Sequence, residues 1–338
     1  MDTKTSHTPY DIESSGDQIF DISYHPYDNF IAIATITGIV EVYKYGDQSI
    51  NNQLINKFAP HTSSCRGVKF SQDGNTLITI SSDKSWKCID GTGRIVNCCE
   101  QAHDEPINRI SLLHTMPTCF VTADDIGNIK LWDTRISYSN NTNNGQSTST
   151  TAAVMSWQVH NDYISDLLYI PDTNTLFSTA GDSTLCTYDI RKKTVYEQSD
   201  EQESELTCIQ NIKHNKKLCV GTQDGVILMF SWAKWGDCSD RYVYVYYTLV
   251  YTHCICYTTH PISLIRSNIH PIYTYTPYTH RYPGHPETVD CMLKIDESML
   301  LTGSSDGLIR VVSIQPNKIL GVVGDHDDFP VEGVCSVV

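Results

Sequence analysis

Along this chain of 338 residues a histidine is followed, at a nearly constant distance, by a turn and an apolar strand, and a period of that kind constrains the fold more than any single residue does. The first strand residue after each turn is Val40, Trp86, Ile129, Leu185, Ile227 and Ile309, at intervals of 46, 43, 56, 42 and 82 residues. His61, His103, His160 and His285 stand 25, 26, 25 and 24 residues ahead of the anchor that follows each of them. The repeating unit is therefore about 42 residues long.

A unit of that length suits a blade of four short antiparallel strands, so the spacing predicts an all-β propeller. The local text agrees. Ile129-Lys130-Leu131-Trp132-Asp133, Leu185-Cys186-Thr187-Tyr188-Asp189 and Trp86-Lys87-Cys88-Ile89-Asp90 alternate as strands do and end in an apolar residue followed by Asp, the WD dipeptide and its variants. Asp83-Lys84, Asp182-Ser183, Asp224-Gly225 and Asp306-Gly307 precede the anchors as hairpin turns. In WD-repeat proteins the turn aspartate meets the repeat's histidine, which implies the structural pairs His61 with Asp83, His160 with Asp182, and His285 with Asp306. Histidines held in this way are buried parts of the fold and not catalysts.

Two intervals exceed the unit. The first surplus falls on 137–151 (SYSNNTNNGQSTSTT), which is almost free of apolar residues and reads as a solvated loop between blades. The second falls on 242–281, which holds nine of the twenty tyrosines, no Gly and no acidic residue, and lacks the turn signals of the true units. It reads as an aberrant low-complexity insertion, consistent with translated intron, because its removal restores the repeat spacing. Its apolar run is too short for a membrane span, which needs about 20 residues, and His253, Cys254, Cys256 and His260 lack the second ligand pair of a zinc site. At the far end His326 opens a further unit of which only a first strand, near 331–338, is present. The expectation is a WD40 propeller over 17–338, nominally seven-bladed with an incomplete last blade, whose 1–16 segment lends a ring-closing strand.

Composition narrows the function. A formal charge of −15 opposes binding to nucleic acid through phosphate neutralisation. The thirteen cysteines are scattered through strands as buried thiols of a reducing compartment, and no secretory leader opens the chain. No phosphate-binding loop, His-Glu-x-x-His or Gly-x-Ser-x-Gly occurs, and Gly91-Thr92-Gly93 is too short for a dinucleotide site. No enzyme, cofactor or metal is expected, and neither is membrane binding; proteins are the expected partners.

Several stretches resemble one family beyond the generic repeat: 64–74 (SCRGVKFSQDG), 129–135, 236–241 (GDCSDR), 289–292 (VDCM), 302–310 and 316–321 (PNKILG). They are similar to the WD repeat-containing protein 55 family, in order and register, over 17–241 and 282–338. The resemblance implies a nucleolar scaffold in ribosomal RNA processing and ribosome biogenesis, with pre-ribosomal assembly factors as partners and a nuclear, with some cytoplasmic, location. A different class of function is also visible. Trp132-Asp133-Thr134-Arg135 fits the W-D-x-R pattern by which some WD proteins dock on the cullin-4 ubiquitin ligase adaptor, and Asp189 with Arg191 forms a weaker copy.

The insertion reading is testable directly. Deleting 242–281 should raise the thermal midpoint or the soluble yield of the protein, and a loss of stability would show the segment to be packed structure.

Overall fold

The computed structural model describes residues 17–45, 52–138, 153–242, 254–255, 264–265, 285–326 and 329–335. Its strands form six antiparallel four-stranded sheets in sequence order, with a separate two-stranded pairing of Cys254–Ile255 with Leu264–Ile265. The sheets cover 19–58, 65–99, 107–158, 164–198, 206–242 and 289–325, and are blades 1 to 6. Their first strands (Ile19–Tyr24, Cys65–Phe70, Ile107–Leu112, Ile164–Ile170, Leu206–Ile212 and Val289–Lys294) pack in succession around a central channel.

Among the described residues the propeller therefore has six blades, and the incomplete seventh that was expected forms no sheet. After blade 6 the chain continues through 329–335 without a strand. Yet this segment occupies the place of a first strand. Val331 is buried and its amide bonds Ser304 O at 3.2 Å, Cys291 Sγ donates to Val331 O at 3.1 Å, and Gln18 Nε2 reaches Glu332 Oε1 at 3.2 Å. A lone extended segment held by isolated bonds has no ladder, and a ladder is what defines a strand. The expected ring-closing segment 1–16 lies outside the described residues, as do 243–253, 256–263 and 266–281 of the predicted insertion. The last strand of blade 5, Asp240–Tyr242, takes in the first residue of that insertion, pairing Tyr242 with Ile227. The solvated loop expected at 137–151 also needs correcting at its start. Tyr138 is buried between Trp86 and Trp132, with ring centroids 5.3 Å from each; 139–151 lies outside the described residues.

Apolar residues at alternate positions of the second and third strands fill the spaces between blades. In the junction of blades 2 and 3, Trp86, Phe120, Trp132 and Tyr138 meet mainly edge to face, contacts worth about 0.5–1.5 kcal/mol each beyond area burial. Between the second and third strands the turn needs a left-handed residue. Gly127 and Gly225 supply it at φ 85° and 75°, where a Cβ would lie 2.4 Å from His160 O and 2.3 Å from His285 O.

Those carbonyls belong to the histidines of the repeat. His61 Nδ1 lies 3.0 Å from Asp83 Oδ2 and its Nε2 2.9 Å from Thr79 Oγ1; His160 Nδ1 lies 3.1 Å from Asp182 Oδ2 and its Nε2 2.7 Å from Ser178 Oγ. The third expected pair does not form. Asp306 is claimed by Arg310, one turn of hairpin away, whose Nη1 lies 2.9 Å from Oδ1, and His285 instead faces Gly225 O at 3.3 Å and Thr302 Oγ1 at 2.8 Å. A pair absent from the sequence reading replaces it: His103 Nδ1 to Asp124 Oδ2 at 2.8 Å, with Nε2 2.7 Å from Thr122 Oγ1. Asp124 ends the second strand, two positions earlier than Asp83 does in its blade, so turn spacing could not reveal it. In blade 5 Gln202 takes the histidine's place and Val220 the hydroxyl's, and the polar chain is absent as a unit.

Burial raises the Asp182 carboxyl, but hydrogen bonds from His160, the Asn161 amide and Thr184 outweigh it and bring it down to about 2. Its contribution to stability is thus fully present above the ordinary value of 3.8 and is lost as pH falls through about 2. At neutral pH Asp182→Ala should cost about 1–3 kcal/mol in urea unfolding by leaving a buried donor unmatched. Adding His160→Ala should cost clearly less than the sum of the two single changes. Full additivity would show that the two residues do not act together.

Candidate functional site: the central channel

Every first strand carries one extra residue relative to its neighbour. The register shifts fall at equivalent places, between Ile19 and Asp21, Cys65 and Gly67, Ile164 and Asp166, Leu206 and Cys208, and Val289 and Cys291, with the matching shift at Asn108. A bulge re-aims the side chain it carries. The bulged residues Phe20, Arg66, Asn108, Ser165, Thr207 and Asp290 all line one cavity of about 510 Å³ at the channel's mouth, where Glu332 joins them. A second cavity of about 400 Å³ continues inward past Asp21, Lys69 and Asp166.

The same bulges stitch blade to blade. Asp21 Oδ2 accepts from the Val68 amide at 3.0 Å and from Lys69 Nζ at 2.8 Å, joining blades 1 and 2. Arg66 Nη1 reaches both oxygens of Asp125, at 3.0 and 2.9 Å, across blades 2 and 3. Arg109 Nε donates to Ser165 O between blades 3 and 4, and Asp166 Oδ2 accepts from the Ile209 amide at 2.9 Å between blades 4 and 5. Thr207 Oγ1 and Cys208 Sγ both donate to Val289 O, the thiol at 3.3 Å, between blades 5 and 6. At four of these junctions a side chain bonds to the neighbour's backbone and needs no matching side chain there, whereas Arg66 and Asp125 join blades 2 and 3 side chain to side chain.

The mouth is electrostatically uneven. Arg66 is spent on Asp125, and Arg109 also donates to Asn108 O at 3.2 Å. Asp290, in contrast, receives Ser305 Oγ at 2.7 Å, and burial together with the charges of Glu332, Asp306 and Glu287 holds its carboxyl up at about 6. Burial likewise pushes the thiols of Cys186, Cys219 and Cys291 up to about 12, so these cysteines are protonated packing groups and not nucleophiles. Among the described residues no three His, Cys, Asp or Glu converge as metal ligands.

The docking residues read from the sequence lie elsewhere. Trp132 is fully buried in the core and donates its indole N–H to Thr122 Oγ1 at 2.7 Å, so it can touch no partner. Arg135 is 72% exposed on the face opposite the channel's mouth, with its guanidinium forked onto Asp133: Nη2 to Oδ2 is 2.6 Å and Nε to Oδ1 3.0 Å. In the weaker copy Asp189 caps the turn, accepting from the Arg191 amide at 3.0 Å, and leaves the exposed Arg191 side chain to solvent-facing space. The channel mouth was missed because a bulge is a register event, visible only once both strands are paired.

A raised carboxyl has a definite sign. The folded protein holds the Asp290 proton up to about 6 and the unfolded chain only to 3.8, so ionising Asp290 destabilises the fold as pH rises through that window. Asp290→Asn should accordingly raise the thermal midpoint at pH 7, and the gain should vanish by pH about 4. An unchanged midpoint at pH 7 would show that the carboxylate is not repelled there.

Comparison with known proteins agrees with this architecture. The WDR55 family model matches residues 9–262, and the model described as WD domain, G-beta repeat matches 276–313. WD repeat-containing protein JIP5 of Coprinopsis cinerea is 34% identical, over 95% of this chain and 67% of its own length. WD repeat-containing protein 55 of Arabidopsis thaliana is 32% identical over 95% of this chain and 75% of its own, and that of Bos taurus 30% identical over 93% and 68%. Sequence similarity along most of the chain, on a ring of WD blades with bulged first strands, makes this protein a member of the WDR55 family.

Proposed function

We propose that the chain is a non-enzymatic WD40 scaffold that acts in ribosomal RNA processing and ribosome biogenesis in the nucleolus, with a share in the nucleoplasm and cytoplasm. Family membership supports the scaffold, and the resemblance supports the pathway. The observation that carries the reading is the use of the histidines: the Ser, His and Asp side chains that might be taken for a hydrolytic set are locked inside blades as hydrogen-bonded pairs. Its charge of −15 favours protein partners over direct contact with RNA. Pre-ribosomal assembly factors are the partners this reading selects.

A second reading rests on Arg135. Its guanidinium is exposed and oriented by Asp133, a geometry suited to charge-assisted contact with the cullin-4 adaptor.

The test is made in cells depleted of their own counterpart. Precursor ribosomal RNA should accumulate on depletion and return toward normal when a version lacking 242–281 is supplied. Normal precursor levels after depletion would end the ribosome-biogenesis reading, and loss of cullin-4 association in Arg135→Ala would then put the adaptor reading in its place.

A further inference from the structure

The disc is polarised. One face is built by the connections that follow the second and fourth strands of each blade; joining strand to strand, the described ones carry fourteen Asp and Glu against one basic residue, Lys84. On the other face, where the connections follow first and third strands, the described residues include six acidic and eight basic side chains. The channel's mouth opens on the acidic face, since Asp125, Tyr163, Ser305 and Pro330 from those connections line it.

Three consecutive positions of the ring differ in kind from the rest of the mouth. Asp290 of blade 6, Glu332 of the closing segment and Phe20 of blade 1 set two carboxylates beside an aromatic ring. Glu332 receives one amide from Gln18 and Asp290 one hydroxyl from Ser305, whereas the nearby arginines are already engaged. A second, independent feature points the same way. Asn108 is only 9% exposed; Asp125 Oδ1 takes its Nδ2 at 3.0 Å, which fixes the amide's orientation, and its Oδ1 has no hydrogen-bond partner among the described residues. A buried acceptor at the mouth calls for an N–H donor.

We propose that the mouth of the channel seats a Lys or Arg side chain from an extended basic segment of a partner protein, between Asp290, Glu332 and the ring of Phe20. The cavity's volume of about 510 Å³ accommodates such a side chain, and the acidic face around it attracts the flanking charges. A cation there would offset the burial, and with it the neighbouring carboxylates, that raise Asp290, and gain the face of an aromatic ring. This deepens the scaffold reading by naming the chemistry of the partner.

The purified full chain would be titrated against a fluorescent peptide of alternating Arg and Gly, with a Glu-for-Arg peptide as control, reading anisotropy at two salt concentrations. The Arg peptide should bind and weaken with salt, and the Glu peptide should not bind. Asp290→Asn combined with Glu332→Gln should weaken binding by about tenfold or more, the loss of roughly one strong charge contact. Phe20→Leu keeps the bulk of the side chain while removing the aromatic face, and should weaken binding several-fold at an unchanged thermal midpoint. Glu201→Gln with Glu203→Gln removes as much charge from the surrounding face and should cost clearly less than the mouth pair. Equal losses from the two pairs would mean diffuse attraction and overturn the seat, as would failure of the Arg peptide to bind. Because the assay uses purified protein, its failure is separate from that of the ribosome-biogenesis reading, which the precursor RNA measurement decides.

Discussion

The bulge in each first strand is the constraint on which the rest of this structure depends. A four-stranded blade is a twisted sheet that must bury both faces against its neighbours, and the bulge lets one residue per blade leave the pleat and face the channel. It also frees the following position to reach sideways. Asp21 and Asp166 use that reach to accept the backbone amides of Val68 and Ile209 in the next blade, and Cys208 uses it toward Val289 O, which the bulged Thr207 reaches as well. Burial drives the Asp166 carboxyl upward, and the positive charge of Arg109 together with the Ile209 and Leu167 amides works against it. One irregularity therefore both joins the blades and supplies the lining of a concave surface that all six blades share.

The buried polar chains inside the blades follow a different rule, set by satisfaction and not by identity. A histidine enclosed by apolar side chains needs partners at both ring nitrogens. Thr79, Thr122, Ser178 and Thr302 answer one of them in four blades. The other is met by an aspartate from the turn, by one from the strand end at Asp124, or by Gly225 O when Arg310 has taken Asp306. His285, without a carboxylate and near Arg310, is driven by burial down to about 4 and stays neutral. Blade 5 drops the histidine and the hydroxyl together; Gln202 in the histidine's place donates Nε2 to Asp200 O at 2.9 Å, and its buried Oε1 has no partner among the described residues.

Function follows from what these two arrangements leave free. The His and Asp groups are consumed by folding, the thiols by packing, and the channel arginines by stitching. What remains is a pair of faces that differ in charge: an acidic one around the mouth and a mixed one that presents Arg135.

The period of about 42 residues determined the propeller, because four strands and their turns cost a fixed length and every unit repeats the cost. The same text made the turns legible, and His61 and His160 with them, since turn spacing is local. Tertiary structure alone decided the number of blades. Val331 can sit where a first strand belongs, but only pairing makes a blade, and six segments pair. It decided that Asp306 turns to Arg310, because the competition depends on which charge is nearer in space. It decided, too, that Tyr138 leaves a polar stretch to join Trp86 and Trp132. Above all it decided the channel mouth, since Phe20, Asp290 and Glu332 lie far apart in the chain and are brought side by side only by the closing of a ring.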